Sequence, residues 1–494
     1  MKVFLIGAGP GDSELITLKA VRYLKEADFV IYDNLVNKKI LKHVNPYAEI
    51  FYAGKEGGKH TLKQHEINDL VIKKAKEGKI VARLKGGDPL LFARGGEEAV
   101  ALRELGIPFV IVPGITSAFA VPAYSGIPIT QRGYVSYLTI ATGHEEPDKE
   151  ETFIDWEFIA KSRATNVFLM GSENLSSIVN KLIECGRSPD TPIALIRHGT
   201  YPDQETWTGT LKEINEKNIT MSPPLIIVIG KVVTLREKIK WYDILPLFNK
   251  KILITRYEDQ IEEFEYKLSD MGAEVIALPT IKIEPDYSGI GKIVRNSRDC
   301  SLQEYKWLIF TSANGVKYFF EYLYSKALDS RILTGIKIGV IGEKTARKLK
   351  EYGIIADLIP QEFTSKALGE KLIKNDITGQ KFLLLRADLA TDILPDMLEE
   401  KGAIVNKIDI YKIKLPDVKQ NVNSLQFDCL AFTSPATVRN FVEIAGDKVS
   451  QNTVLASIGP VTSKEVNKIF NRVDIEAKEH TLHGLAEAII NYFK

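Results

Sequence analysis

The stretch RLKGGDPLLFARGGEE, residues 83–98, follows an apolar run at 80–82 and leads into a helix-like segment at 97–105. Strand, glycine turn and helix in that order form the repeating unit of an α/β sheet. Gly86 and Gly87 carry no Cβ, so the chain can turn tightly and a ligand can approach the backbone. Asp88 sets a carboxylate at the lip of the strand. Together these residues describe one wall of a small-molecule site.

Around this stretch, strand-like and helix-like segments alternate from residue 3 to about 130, which predicts an α/β unit with a mainly parallel sheet. Ligands of such sheets bind beyond the carboxyl ends of the strands. VFLIGAGPGD, residues 3–12, reads as a strand and a glycine-rich turn, but Asp12 stands where a dinucleotide fingerprint wants its third glycine. Asp33, in FVIYDNL, falls about where a ribose-binding acid would, so the fingerprint is partial. Taken singly, Asp33, Lys55 and Asp88 each read first as a solvated loop charge, but each follows a strand end, and that common placement lets them share one cleft.

Downstream, VPGITSA at 112–118 puts Thr116 and Ser117 at a strand-to-helix turn, where N–H groups suit carboxylate or ribose oxygens. The charged stretch EEPDKEE, 145–151, reads as a solvated linker, and a second α/β segment starts near Ala164. There NVFLMG places Met170 at a strand end, where methionine is ordinarily core filler, ALIRHGT places Gly199, and PPLIIVIGKVV makes a last strand.

At 494 residues the chain is too long for one ordinary domain. Its 45% hydrophobic and 26% charged residues are globular values. A formal net charge of +1 creates no global field for nucleic acid, so local groups must hold any anionic ligand. Cys185, Cys300 and Cys429 form no CxxC pair, which argues against a zinc knuckle or disulfide framework. No signal peptide precedes the strand at 3–6, and no apolar stretch approaches the ~20 residues of a membrane span. A cytoplasmic protein bound to neither membrane nor nucleic acid is expected.

GAGPGD, YDNLV, GKEGG, RLKGGDP, VPGITSA, YSGIPIT, TGH and IGKVV, in this order, resemble the uroporphyrinogen-III C-methyltransferase family across about residues 1–243. The resemblance implies a two-lobed tetrapyrrole methylase fold, with lobes at about 1–134 and 135–245, usually dimeric, so a homodimer through this half is expected. It implies S-adenosylmethionine (SAM) as cosubstrate, S-adenosylhomocysteine as its product, and two methylations of uroporphyrinogen III to precorrin-2. By motif, the SAM contacts are Pro10, Gly86, Gly87, Asp88, Leu91, Thr116, Ser117, Met170 and Gly199; Asp33 matches the proposed proton acceptor and Lys55 the proposed donor. Three positions depart from the pattern: Asn34 for a frequent arginine, Ala93 for a glycine and Gln131 for a frequent histidine.

The second half repeats itself. KILITR, ending at Arg256, matches KFLLLR, ending at Arg386; Gly272 matches Gly402; FTSANGV with Ser312 matches FTSPATV with Ser434; IGEKTA with Thr345 matches IGPVTS with Gly459 and Thr462. Four matched elements predict two similar α/β lobes. In each, strands end in Arg, Thr-Ser or Gly-x-x-Thr before a helix, and two such edges would suit a large polyanion; taken singly, each of these hydroxyls reads first as a plain N-cap. The order of elements predicts a discontinuous first lobe, about 251–283 plus 413–494, around a second at 284–412. IKIEP and DIYKIK would form a two-stranded connector between them.

LITR, LPTIKI, FTSANGV, IGEKTA, LLLRAD, FTSPATV, SIGPVTS and HTLHGL resemble the uroporphyrinogen-III synthase family over 251–494. The resemblance implies a pair of flavodoxin-like lobes that cyclise hydroxymethylbilane with ring D inversion and loss of water, without a cofactor. Tyr411 matches a tyrosine suspected of assisting departure of the hydroxyl, and Ser312, Thr345, Ser434, Gly459 and Thr462 are the substrate-cleft candidates. His480 and His483 stand at i, i+3 with no third ligand nearby, so no metal is expected. The two resemblances together imply a bifunctional enzyme. The alternatives are a methyltransferase whose C-terminal half only binds tetrapyrrole, or a methylase of another corrin intermediate.

Overall fold

The computed structural model describes residues 1–54, 62–144, 152–255, 262–280, 282–296, 299–388, 390–415 and 426–494. Among them are four five-stranded sheets. The first holds β1 (Lys2–Gly7), β2 (Phe29–Tyr32), β3 (Glu49–Tyr52), β4 (Ile80–Lys85) and β5 (Phe109–Val112), in the order β3-β2-β4-β1-β5. All its pairings are parallel, so every strand ends on one edge. Alternation along each strand feeds two cores. Phe4, Ile6, Val30 and Leu84 pack on one face, and Val3, Leu5, Phe29, Ile31 and Val81 on the other. Arg83 and Lys85, buried on the central strand β4, break the apolar pattern.

The second sheet holds β6 (Leu138–Thr142), β7 (Thr165–Leu169), β8 (Pro192–Arg197), β9 (Glu205–Thr210) and β10 (Leu225–Ile229), in the order β6-β7-β10-β8-β9. Only β6 and β7 run parallel; the other pairings are antiparallel. The helix Ser117–Tyr124, which follows β5, packs Ala118 and Val121 against Val167, Ala194, Ile196 and Val228 of this sheet. The two lobes therefore share a core rather than hanging on a linker.

The second half contributes β11 (Lys251–Ile254), β12 (Glu274–Ala277), β13 (Lys282–Pro285), β14 (Trp307–Phe310), β15 (Lys337–Val340), β16 (Lys381–Ala387), β17 (Ile404–Lys414), β18 (Cys429–Phe432), β19 (Val454–Ser457) and β20 (Ile475–Glu476). The third sheet is β12-β11-β18-β19-β20, all parallel, and the fourth is β13-β17-β16-β14-β15. The third sheet thus takes its strands from both ends of this half, while β14 to β17 belong to the fourth. The core orders β12-β11-β18-β19 and β17-β16-β14-β15 are the same arrangement in different chain order. Gly272 and Gly402 occupy the matching turns before β12 and β17, with φ of 93° and 78°. The long strand β17 pairs with β16 through its first part and antiparallel with β13 through its last, Tyr411 lying opposite Pro285.

The segment between the halves is tied on both sides: the Leu247 N–H donates to the Met271 carbonyl at 2.9 Å and the Asn249 N–H to the Pro202 carbonyl at 3.0 Å. Among the described residues no helix is long and apolar enough to cross a membrane.

Candidate functional site

The carboxyl ends of β1, β4 and β5 form a compact group of loops. Gly9 and Gly87 bond each other through their backbones, Gly87 N–H to Gly9 O at 2.7 Å and Gly9 N–H to Gly87 O at 3.2 Å. Gly87 has φ +67°, a conformation that favours glycine, and a Cβ there would meet nothing nearer than the Thr116–Ser117 backbone at 3.9 Å. The backbone is therefore open to a ligand at this point. Gly114 is fixed by crowding instead, since a Cβ on it would run into Gly87 O and the Gly7 backbone.

Asp88 ties two of these loops together. Its Oδ1 accepts from Leu90 N–H at 2.9 Å, and its Oδ2 from Gly114 N–H at 3.1 Å. Thr116 caps the helix Ser117–Tyr124, its hydroxyl accepting from Ala118 N–H at 3.2 Å. Asp88 and Thr116 already serve the protein's own backbone, so any ligand meets groups that are fixed in place beforehand.

The second lobe meets this edge through Thr200, and it carries residues in unusual backbone conformations. Met170, His198 and Thr200 have φ of 57°, 49° and 70°, without the excuse of being glycine. Left-handed non-glycine residues cost on the order of 1 kcal/mol or more each, persist only where surroundings over-determine them, and cluster at ligand sites. Met170 is 51% exposed, so it does not fill the core. Thr200 Oγ1 accepts from Asp12 N–H at 2.9 Å, and Tyr124 donates its hydroxyl to Asp12 Oδ2 at 2.7 Å. Gly199 is buried against Val121 of the helix Ser117–Tyr124, where a Cβ would clash. Pro10, Gly86, Gly87, Asp88, Thr116 and Ser117 thus lie on the first lobe's strand-end loops. Leu91 packs against the core shared by the lobes, and Met170 and Gly199 sit on the second lobe.

Asp33 follows β2 and is not a free carboxylate. Its Oδ1 accepts from Leu35 N–H at 3.2 Å, and its Oδ2 accepts from Arg83 Nη2 at 3.1 Å. Behind Arg83, Glu98 Oε1 accepts from Lys85 Nζ at 2.7 Å and Gln64 Nε2 at 2.8 Å, with Arg83 Nε at 3.4 Å. Burial pushes the Lys85 ammonium below its ordinary range, and the positive Arg83 beside it adds to the shift. Arg83, Lys85 and Glu98, which stand beside and behind Asp33, are not among the candidates that the motifs give. Their signal was two cations at i and i+2 flanking a buried leucine in a central strand. Lys55 lies outside the described residues. Asn34 and Gln131 are exposed.

In the second half the candidates fall on two sheets. Ser312 follows β14 and caps the helix Ala313–Ser325 by accepting from Gly315 N–H at 3.0 Å, and its oxygen lies 2.9 Å from the Tyr411 hydroxyl. Thr345 is buried in the first turn of the helix Glu343–Glu351 after β15. On the third sheet, Ser434 caps the helix Pro435–Ala445 in a capping box with Thr437, and Gly459 precedes the helix Pro460–Phe470, which buries Thr462. Arg386 is engaged by Asp392 at 2.6 Å and Asp409 at 3.1 Å, so it is not an unpaired anion receptor. Arg256, its partner in the repeat, lies outside the described residues.

Two family profiles match the chain: tetrapyrrole (corrin/porphyrin) methylases over residues 2–215, and uroporphyrinogen-III synthase HemD over residues 262–487. The porphyrin biosynthesis protein HemD of Ruminiclostridium josui is 36% identical over 496 residues, spanning 99% of this chain and 97% of that one. The uroporphyrinogen-III C-methyltransferase of Bacillus subtilis is 38% identical over 72% of this chain and 73% of its own length. The S-adenosyl-L-methionine-dependent uroporphyrinogen III methyltransferase of Methanosarcina barkeri is 50% identical over 48% of this chain and 93% of its own.

Proposed function

This chain belongs to the family of porphyrin biosynthesis proteins that join a tetrapyrrole methylase to a uroporphyrinogen-III synthase, and from that premise we propose that it carries out two successive steps. The C-terminal half, 251–494, closes hydroxymethylbilane to uroporphyrinogen III with inversion of ring D and loss of water. The N-terminal half, 1–245, then transfers two methyl groups from SAM, giving precorrin-2 for siroheme or cobalamin and releasing S-adenosylhomocysteine. The observation that carries this reading is the presence of both families on one chain, the product of one being the substrate of the other.

SAM supplies a methyl group on a sulfonium, with a neutral thioether as its leaving group. What remains for the protein is alignment and proton transfer. The open backbone at Gly87, the half-exposed Met170 and the capped helix start at Thr116–Ser117 suit a small ligand held between lobes. In this reading Pro10, Gly86, Gly87, Asp88, Leu91, Thr116, Ser117, Met170 and Gly199 hold SAM, while Asp33 takes and Lys55 returns protons at the macrocycle. In the second half, Ser312, Thr345, Ser434, Gly459 and Thr462 form the cleft that folds the linear substrate, and Tyr411 assists the departing hydroxyl. The reading also has the chain acting in the cytoplasm as a homodimer through its first half.

Hydroxymethylbilane plus SAM, with products followed by absorbance and mass, tests both activities at once. A type III ring carrying two added methyl groups is expected. Type I rings alone, with supplied uroporphyrinogen III still methylated, would make the C-terminal half a binding module. Unmethylated uroporphyrinogen III would overturn the role of the first half.

A further inference from the structure

Arg83 lies in the central strand β4 at 3% exposure, on the sheet face otherwise packed with Leu5, Phe29, Ile31 and Val81. A guanidinium there is expensive unless its charge and donors are met. The Lys85–Glu98 pair, at 2.7 Å with both side chains buried, is already electrically balanced. Arg83 reaches that pair only at 3.4 Å, and its closer carboxylate is Asp33, at 3.1 Å. Structural economy would leave an apolar side chain in this place, since well-packed apolar replacements of buried ion pairs are often neutral or stabilising.

The guanidinium is fixed from three sides. Nη1 donates to the Leu84 carbonyl at 2.9 Å, Nε faces Glu98, and Nη2 is left for Asp33. Because the fork is planar and rigid, anchoring two of its nitrogens sets the direction of the third. Asp33 is gripped in turn, by Arg83 at one oxygen and by Leu35 N–H at the other, while a quarter of its side chain stays open.

We propose that Arg83 is a positioning residue for methyl transfer: backed by Lys85 and Glu98, it holds the Asp33 carboxylate in the orientation from which it accepts a proton. This inference rests on the reading of Asp33 as the proton acceptor. A lysine at position 83 would keep the charge but present a single mobile point donor in place of the fork.

The test is a double-mutant cycle on the full chain, with uroporphyrinogen III and SAM as substrates and SAM affinity by calorimetry. Asp33→Asn is expected to lower kcat by about a hundredfold, the scale of a lost general base. Arg83→Lys is expected to lower kcat about tenfold through misalignment, with SAM Kd within about twofold of the parent. In the Asp33→Asn background the same Arg83→Lys change should alter kcat by less than about twofold, because its effect runs through the lost carboxylate. Losses that multiply in the double variant, or an Arg83→Lys enzyme with full kcat, overturn the proposal. If Arg83→Lys does not fold, Arg83→Gln enters the same cycle; failure of both to fold makes Arg83 a structural tie and also overturns it. A parent enzyme that methylates while Asp33→Asn keeps full activity rejects the role of Asp33, and with it that of Arg83. A parent that does not methylate rejects the function itself.

Discussion

The hydroxyl oxygens of Ser312 and Tyr411 lie 2.9 Å apart, which ties the turn after β14 to the last part of β17. Tyr411 is 6% exposed, and burial pushes its phenol above the ordinary range while the bond to Ser312 pulls the other way. With its pKa raised, the phenol stays protonated at neutral pH and can act there as a proton donor, not as a base. Tyr411→Phe is therefore expected to slow formation of uroporphyrinogen III from hydroxymethylbilane by about ten- to a hundredfold, with the ring closing instead to the type I isomer. Isomer ratios by chromatography give the readout. Unchanged type III turnover would leave Tyr411 a packing residue.

Asp88 joins the loops after β4 and β5 by accepting one backbone N–H from each. Asp88→Ala removes both bonds at once and is expected to destabilise the first half by ~1–3 kcal/mol, since hydrogen bonds to charged groups are the stronger kind. SAM affinity should fall about tenfold as the loops lose their fixed spacing. Calorimetry with SAM checks this, and an unchanged Kd would show that the loops hold their shape without the staple.

The alternation of strands and helices, and the glycine turns at their ends, were legible because backbone geometry demands particular residues at those points. Gly87 needs its positive φ, and the turns at Gly272 and Gly402 repeat because the same turn precedes the same strand twice. The antiparallel pairings of the second sheet were not legible, because alternation and apolar runs mark a strand without giving its direction. The site was visible as motifs one at a time. What the sequence concealed was pairing at long range: Arg83 with Asp33 is fifty positions away, and Asp12 with Thr200 nearly four times that. Met170 follows a strand, where methionine is ordinarily filler, and its 51% exposure could not be read from the motif because packing settles it.

The seam between the first two lobes hinges on Asp12, which receives the Tyr124 hydroxyl on its carboxylate while its N–H meets Thr200. Tyr124 also packs edge-on against Trp241 and Tyr242, at centroid distances of 5.1 and 4.8 Å. Tyr124→Phe keeps those ring contacts and deletes only the hydrogen bond, so it should destabilise by ~1–2 kcal/mol. Urea unfolding of the parent and the variant measures the difference. A change below about 0.3 kcal/mol would mean that water replaces the hydroxyl at no net loss.

The same seam predicts alkaline sensitivity. Burial, followed by the negative charges of Asp203 and Asp12, pushes the Tyr201 phenol up to about 12. Tyr124 and Tyr242 are pushed up further, burial being the main cause in both; the bond to Asp12 comes next for Tyr124 and the Asp12 charge for Tyr242. In the unfolded chain these phenols lose their protons near pH ~10. Between that pH and their folded values the native state binds more protons than the unfolded one, so stability falls as pH rises. The contribution is complete below about pH 10, is lost for Tyr201 by about 12, and keeps declining beyond that for the other two. Urea midpoints at about pH 8, 10 and 11 should therefore fall across the last interval and hold across the first, and Tyr124→Phe should flatten the fall. Tyrosinate absorbance supplies an independent check: several phenols should ionise only as the protein unfolds. If every phenol titrated near pH ~10 with the fold intact, the seam would be wet and the prediction wrong.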